Sequence, residues 1–591
     1  MAPHSTGSPE APDERWWKEA VAYQIYPRSF NDSDGDGIGD IPGITERVEY
    51  LDALGIDVVW LCPVYASPQA DNGYDISDYR SIAAEFGTMD DWDALLEALH
   101  AHDMRLLMDL VVNHTSDEHE WFQRSRRRDG AYEDYYYWRD GGEDEHGDPT
   151  PPNNWGSFMG GSAWTYDELR GQWYLHLYDE KQPDLNWRNP EVRDEIASLV
   201  EWWLEKGIDG FRLDAINVIS KPEGLPDGSG DTHPTGVELF SHGPRAHDYL
   251  RELYDRTFAD YDVVTVGEMG ETTVDIASEY MGGDGVGLDM LFHFEHMDVD
   301  VGPRGRWDPE GWGDWSLPEF KRIMSRWQTQ LEAGWNAQYL GNHDQPRIVS
   351  RFGDVAERSS AAQQTSSVDD ERYRIESAKL LATFLLTTHG TPFIYQGEEI
   401  GMTNATFETF DELDDPMMIG AVEDYVAAGK ADSPEELRDF WNFQSRDHAR
   451  TPMQWSNDEH AGFTDGEPWF AVNENYRDIN VEAARSDEQS IWHHYRRLID
   501  LRHDEVALVY GEYELLLPDH EQVYAYTRTL DESQILVVLN WSDEPATVDF
   551  GHTDGDLDVS DLRVRLSNYD ETPSTPGERP LRPFEAVVYR N

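Results

Sequence analysis

From Val21 onward, short runs rich in β-branched and aromatic residues alternate with stretches of helical period, which restricts this chain to a largely parallel sheet whose strands are joined by helices. Eight such runs can be read: Val21–Tyr26, Val58–Leu61, Leu106–Val112, Gly210–Leu213, Val263–Gly267, Leu288–Phe294, Gln338–Leu340 and Pro392–Tyr395. Eight parallel strands close a barrel ringed by helices. Between them, Ile44, Val48, Leu51 and Leu54 recur at helical spacing, as do Trp92, Leu95, Leu96 and Leu99. Asn189-Pro190 reads as an N-cap followed by proline at the first helical position, opening a helix with Val192, Ile196, Leu199, Val200 and Trp203 on one face.

Two connections break this rhythm. Residues 115–188 are rich in Gly, Asn, Trp and Tyr without helical period, and read as a small irregular α/β domain inserted after the third strand. The segment from about Arg347 to Gln454 contains the eighth strand and is long enough to carry extra helices at the barrel rim. Beyond Asp504 the pattern becomes alternating strands, Glu514–Leu517, Gln522–Thr529, Gln534–Trp541, Thr547–Phe550 and Glu585–Tyr589, the mark of a separate antiparallel β-domain. The expected architecture is therefore an α/β fold, a (β/α)8 barrel of residues 16–114 and 189–504, with the insertion at 115–188, a C-terminal β-domain at 505–591 and a disordered tail at 1–15.

The charge balance narrows the partners. Lys and Arg total 47 against 118 Asp and Glu, a net charge of −71, so the surface should repel nucleic acid and anionic membranes and favour a neutral ligand. The acids are scattered through the chain and Lys is scarce, a pattern resembling proteins of salt-loving organisms. Cys62 is the only cysteine, which rules out an intrachain disulfide, and it reads as a small buried hydrophobe. Residues Met1 to Arg15 lack the apolar segment of a signal peptide, and no stretch approaches the roughly 20 apolar residues of a membrane span. The expectation is a cytoplasmic monomer.

Three of the apolar runs lead to an acid: Gly210-Phe-Arg-Leu-Asp214, Val263-Val-Thr-Val-Gly-Glu268 and Gln338-Tyr-Leu-Gly-Asn-His343-Asp344. A barrel gathers its chemistry at the C-terminal ends of its strands, so these carboxylates should converge. Cleavage of an acetal bond between sugars needs one ionised and one protonated acid on opposite sides of the bond. Arg212, two residues before Asp214 and on the same face of its strand, should keep that acid ionised. Glu268, at the end of an apolar run, suits the proton donor.

In order along the chain, Asp71-Asn-Gly-Tyr-Asp75, Asp109-Leu-Val-Val-Asn-His114, Gly210-Phe-Arg-Leu-Asp214, Gly267-Glu268 and Asn342-His343-Asp344 resemble the motifs of the α-amylase family of glycoside hydrolases. Gln182-Pro-Asp-Leu-Asn186 and Ser445-Arg-Asp-His-Ala-Arg-Thr-Pro-Met-Gln-Trp455 resemble its α-glucosidase and oligo-1,6-glucosidase branch. The resemblance implies that Asp214 is the nucleophile, Glu268 the general acid/base and Asp344 the transition-state stabiliser. It further implies that Asp71, Tyr74, His114, Arg212, His343 and Arg446 hold the glucose being cleaved, that Tyr178 and Gln182 line the same pocket, and that Arg450 supports it. The implied activity is a retaining α-glucosidase acting on small neutral α-glucosides, without an organic cofactor. The alternatives are an oligo-1,6-glucosidase, a transglucosylase or isomerase acting on sucrose or maltose, and a non-catalytic relative of the kind that serves amino-acid transporters as a heavy chain.

Two departures bear on specificity. Ala215 follows the nucleophile where relatives preferring α-1,6 bonds carry valine, which implies a preference for α-1,4 bonds; Met159 replaces an aromatic residue common at the pocket edge. Separately, Asp32-Ser-Asp34-Gly-Asp36-Gly-Ile38-Gly-Asp40 spaces oxygen ligands at alternate positions with glycines between them, as a hard divalent cation requires. The resemblance implies structural Ca²⁺ or Mg²⁺ held by Asp32, Asp34, Asp36, the Ile38 carbonyl and Asp40.

Overall fold

The computed structural model describes residues 15–591 except 145, 231, 233, 282–286, 303–304, 311, 314, 332–333, 354–371, 551–558, 572–574 and 578; the tail expected at 1–15 lies, but for Arg15, outside the described residues. Eight parallel strands close a barrel in chain order: β1 (Ala22–Ile25), β2 (Val58–Leu61), β3 (Arg105–Val111), β4 (Gly210–Asp214), β5 (Val264–Met269), β6 (Met290–His293), β7 (Trp335–Gln338) and β8 (Thr391–Tyr395). Their side chains are almost all buried, because helices cover the outer face and side chains fill the inner one. Inside, Trp60 of β2 meets Phe292 of β6 at 5.3 Å and Phe393 of β8 at 6.2 Å between ring centroids, so the barrel centre is packed aromatic core.

The helical stripes pack as their periodicity requires. Met89–Ala101 starts at a capping box between Thr88 and Asp91 and buries Trp92, Leu95, Leu96 and Leu99. Pro190–Lys206 is capped by the Asn189 side chain, which accepts from the Glu191 amide, and it stops at Gly207, whose φ of 99° only glycine adopts readily.

Two expectations are corrected. The seventh strand is Trp335–Gln338 and not Gln338–Leu340: Trp335 and Asn336 pair with β6, Ala337 and Gln338 with β8. The polar Asn336 disguises this strand in the sequence, yet it is buried because its amide donates to the Trp327 carbonyl at 2.9 Å. Asp344 consequently hangs in the loop beyond the barrel instead of tipping a strand. In the C-terminal domain, β9 (Glu512–Leu516), β10 (Val523–Leu530), β11 (Ser533–Asn540), β12 (Arg563–Ser567) and β13 (Ala586–Arg590) form one antiparallel sheet in the order β9-β10-β11-β13-β12. Thr547–Phe550 is no strand, although Val548 and Phe550 bury their side chains, and the fifth strand is the charged Arg563–Ser567.

The segment after β3 carries an antiparallel sheet of Trp138–Arg139, Gln172–Leu175 and Trp164–Asp167, and its Trp155 and Trp164 share an apolar cluster with Val237 and Phe240 of the β4–β5 connection. Helices Pro416–Ala427 and Arg438–Gln444 and the short turn Asp447–Arg450 stand beyond β8 at the rim. Both additions overhang the C-terminal ends of the strands, and the cavity lies between them.

Candidate active site

Arg212 is the hub of the site. Alternation along β4 sends Arg212 and Asp214 to the same inner face, and the guanidinium is 1% exposed. Its Nη1 donates to Asp214 Oδ1 at 2.6 Å and to Asp109 Oδ1 at 2.5 Å, while Nη2 lies 2.8 Å from Glu268 Oε2. Asp109 sits across the β3–β4 register from Arg212 and also accepts from Trp60 Nε1 at 2.8 Å. Its anchoring role went unassigned in the sequence, although an acid in the middle of the buried run Leu106–Val112 must be paired with something.

Burial pushes Asp214 and Glu268 each up to about 7, against the opposing pull of Arg212. Burial likewise raises Asp109 to about 6. This corrects the expectation that Arg212 would keep Asp214 ionised and leave Glu268 alone with a raised pKa. One cation serves both acids, and desolvation outweighs it at each. Near neutral pH the two therefore share about one proton, the ionisation state that acetal cleavage requires. They are not sealed off: their side chains keep 10% and 15% exposure, toward the cavity.

Asp344 is held differently. Its Oδ1 accepts from Arg446 Nη1 at 3.2 Å and Arg450 Nη2 at 2.9 Å, and Arg306 Nη1 donates to its backbone carbonyl. One helical turn separates Arg446 from Arg450, which brings both guanidiniums to one oxygen. Burial would raise this carboxyl, but the surrounding cationic groups outweigh it and hold Asp344 far below the usual carboxylate range. Burial also drives His343 down to about 3, so at neutral pH its imidazole is uncharged and the arginines are what keep Asp344 ionised. Asp415, the cap of helix Pro416–Ala427, was not foreseen; it positions Arg446 through Nε at 2.7 Å and the backbone amide at 2.9 Å.

These acids open onto a cavity of about 740 Å³, within the range of small-molecule sites. Asp71, Tyr74, His114, Tyr178, Ala215 and Arg446 line it together with the three carboxylates. Gln182, Arg212 and His343 stand behind that wall, buried and bonded to neighbours. Gln182 Nε2 donates to Asp71 Oδ2 at 3.0 Å and lies 3.2 Å from His114 Nε2. Among the buried atoms of the lining residues that have no hydrogen-bond partner are Asp71 Oδ1 and Arg446 Nη2. They lie 3.7 Å apart.

Phe158 supplies the aromatic wall, stacked on Tyr178 at 5.1 Å. The neighbouring Met159 packs its carbonyl against Gly420, where a Cβ would come within 2.1 Å of the oxygen. Ala215 has a left-handed backbone (φ 42°), and its amide donates to Glu268 Oε2 at 3.0 Å. Phe294, Asp298, Arg306 and Trp307, from the stretch after β6, and Met417, from the first turn of helix Pro416–Ala427, also line the outer cavity, and no motif flagged them.

In the loop after β1, carboxylate oxygens of Asp32, Asp34 and Asp40 lie within 4.8 Å of one another. Asp36 is not in that group; its Oδ1 accepts from the Ile38 amide at 2.8 Å. The donors are all oxygen, which suits Ca²⁺ or Mg²⁺. Asp32 also accepts from Thr464 Oγ1, so the loop clasps the segment that follows helix Asp447–Arg450. No described helix is long and apolar enough to cross a membrane.

Comparison with known proteins agrees with this geometry. The profile of the α-amylase catalytic domain matches residues 24–511, and that of the maltogenic amylase C-terminal domain matches residues 513–563. An oligo-1,6-glucosidase of Parageobacillus thermoglucosidasius is 49% identical over 97% of this chain and 99% of its own length. An α-glucosidase of Pediococcus pentosaceus is 44% identical over 98% of this chain and 99% of its own. Among solved structures, isomaltulose synthase from Klebsiella sp. LX3 superposes with a TM-score of 0.89 at 42% identity, covering 98% of this chain and all of that one.

Proposed function

The chain belongs to the α-amylase family of glycoside hydrolases, and from that premise we propose that it is a retaining α-glucosidase releasing glucose from the non-reducing ends of short α-glucosides, with α-1,4 bonds preferred. The observation that carries this reading is the single cavity in which Asp214, Glu268 and Asp344 meet beside Asp71 Oδ1 and Arg446 Nη2, an ion pair at 3.7 Å whose two atoms make no hydrogen bond and are placed to take sugar hydroxyls. A neutral sugar suits the site, because its hydroxyls satisfy such atoms while Phe158 and Tyr178 cover an apolar ring face.

In the first step an Asp214 oxygen attacks the anomeric carbon while Glu268 gives its proton to the glycosidic oxygen, and the bond to the leaving sugar breaks. In the second, Glu268 takes a proton from water, whose oxygen attacks the same carbon and expels Asp214. One guanidinium holding both acids favours the short separation of retaining enzymes, about 5–5.5 Å, over the wider gap that admits a second-face water. Asp344, kept ionised by Arg446 and Arg450, stabilises the positive charge that builds on the sugar ring.

The α-1,4 preference rests on Ala215, whose small side chain lines the cavity beside Glu268 and leaves room for the leaving sugar. The names of the relatives point instead to α-1,6 bonds, and the isomaltulose synthase likeness supports a second reading in which a sugar hydroxyl replaces water. Purified enzyme offered maltose, isomaltose and sucrose should release α-glucose first, with kcat/KM highest on maltose, and Ala215→Val should reduce the maltose to isomaltose ratio about tenfold. Initial β-glucose would sink the mechanism, faster isomaltose cleavage would reverse the linkage, and an isomeric disaccharide from sucrose would establish transfer. For the loop after β1, the reading is a structural Ca²⁺ or Mg²⁺ held by Asp32, Asp34 and Asp40, outside the chemical steps.

A further inference from the structure

Gln24 lies on β1, 1% exposed, and no motif singled it out. Its side-chain nitrogen lies 2.7 Å from His343 Nδ1 and donates to Cys62 Sγ at 3.2 Å. The opposite ring nitrogen, His343 Nε2, lies 3.2 Å from Asp344 Oδ2. The ring itself is clamped between Tyr74, stacked at 5.2 Å and 4°, and Tyr26, stacked at 6.2 Å and 12°. It is thus held in plane with one nitrogen toward Gln24 and the other toward Asp344.

The charges fix the tautomer. Asp344 is ionised and can only accept, so the two hydrogen-bond only when Nε2 carries the proton. A neutral imidazole has a single N–H, which leaves Nδ1 as an acceptor in need of a donor. Of the Gln24 amide, only the NH2 group can fill that need, which also settles which way the amide is turned. We propose that Gln24 is a positioning residue: by donating to His343 Nδ1 it locks the imidazole as a neutral Nε2–H donor aimed at Asp344, and so holds that carboxylate in the orientation the sugar meets.

The groups facing His343 agree with this. Asp344 would favour a charged ring, whereas Arg212, Arg446, Arg450 and burial all oppose it; Cys62, kept as a thiol by burial, brings no charge, and Tyr26 and Tyr74 keep their phenol protons. The inference rests on the glycosidase reading for its kinetic consequence, but the tautomer itself can be read without activity.

Two variants separate the possibilities. Gln24→Met keeps the size and cannot donate, so kcat/KM should fall about 10–100-fold at every pH. Gln24→Glu can donate while protonated and cannot once ionised, so its activity should approach wild type at acid pH and fall away as pH rises, adding a further ionisation to the alkaline limb that loss of the shared Asp214–Glu268 proton gives wild type. Nitrogen-15 spectra of histidine-labelled protein should place the His343 proton on Nε2 in wild type and shift it in Gln24→Met, with melting curves confirming that both variants fold. If Gln24→Glu tracks the wild-type pH profile, or if the His343 nitrogen signals are the same in Gln24→Met as in wild type, Gln24 does not set the tautomer. Wild-type protein inactive on every α-glucoside would overturn the functional reading instead, leaving the spectral test intact.

Discussion

Asp214 and Glu268 compete for one guanidinium and for one proton, and that competition has a cost in stability as well as a use in catalysis. Both carboxyls have folded-state values near 7, against about 4 in an unfolded chain. Between those limits the folded state binds more protons, so stability falls as pH rises from about 4 to about 7 and the full penalty persists above. Asp214→Asn should therefore reduce kcat by about 10⁴-fold or more while stabilising the fold, on the order of 2 kcal/mol at pH 8 and less at pH 5. Thermal melts at the two pH values check this, and an equal gain at both would show that the acid pair is not the source. The identity of the acids was legible because each follows an apolar run. Their matched pKa values were not, since these depend on how deeply the folded barrel buries them and on how Arg212 divides itself.

At the level of strands and loops, seven of the eight barrel strands were readable because each is a short apolar run flanked by helical period. The seventh was misplaced because Asn336 breaks the run, and its burial depends on a hydrogen bond to a residue of another element, the Trp327 carbonyl. The metal loop shows the reverse case. Its alternating acids were plain in the sequence, yet folding gathers Asp32, Asp34 and Asp40 and leaves Asp36 to cap a turn. A cation there would tie β1 to the segment around Thr464. Chelation by EDTA should lower the melting temperature by several degrees and expose residues 463–469 to protease, and Asp34→Ala should abolish both effects. Protein as purified that melts identically with and without EDTA would exclude a bound ion.

Over the whole molecule, a net charge of −71 is spread across a chain whose few cations are often used internally. Arg212, Arg446 and Arg450 serve the active-site acids, and buried Arg528 donates to carbonyls of Thr387, Leu508, Val509 and Gly511, stapling β10 of the C-terminal domain to the barrel. The surface is left to repel itself, and salt shortens the range of that repulsion from about 10 Å at 0.1 M to about 3 Å at 1 M. The melting temperature should therefore rise with added KCl by about 5 °C or more between these concentrations, the larger part of the gain appearing below 0.5 M. A flat response would mean that the acids are dispersed widely enough not to interact.

Composition, the alternation of strands with helices and the ordered acid-bearing motifs were enough to specify a barrel glycosidase, because strand period, turn chemistry and the identity of reacting groups are local properties. Which acids share a cation, that Asp109 and Asp415 hold the two arginine clusters, that Gln182 and His343 stand behind the cavity wall, and that Gln24 faces His343 emerged only once the chain closed on itself. Those pairings join residues that are in several cases hundreds of positions apart, and no local pattern encodes the distance or the burial that gives each its electrostatic character.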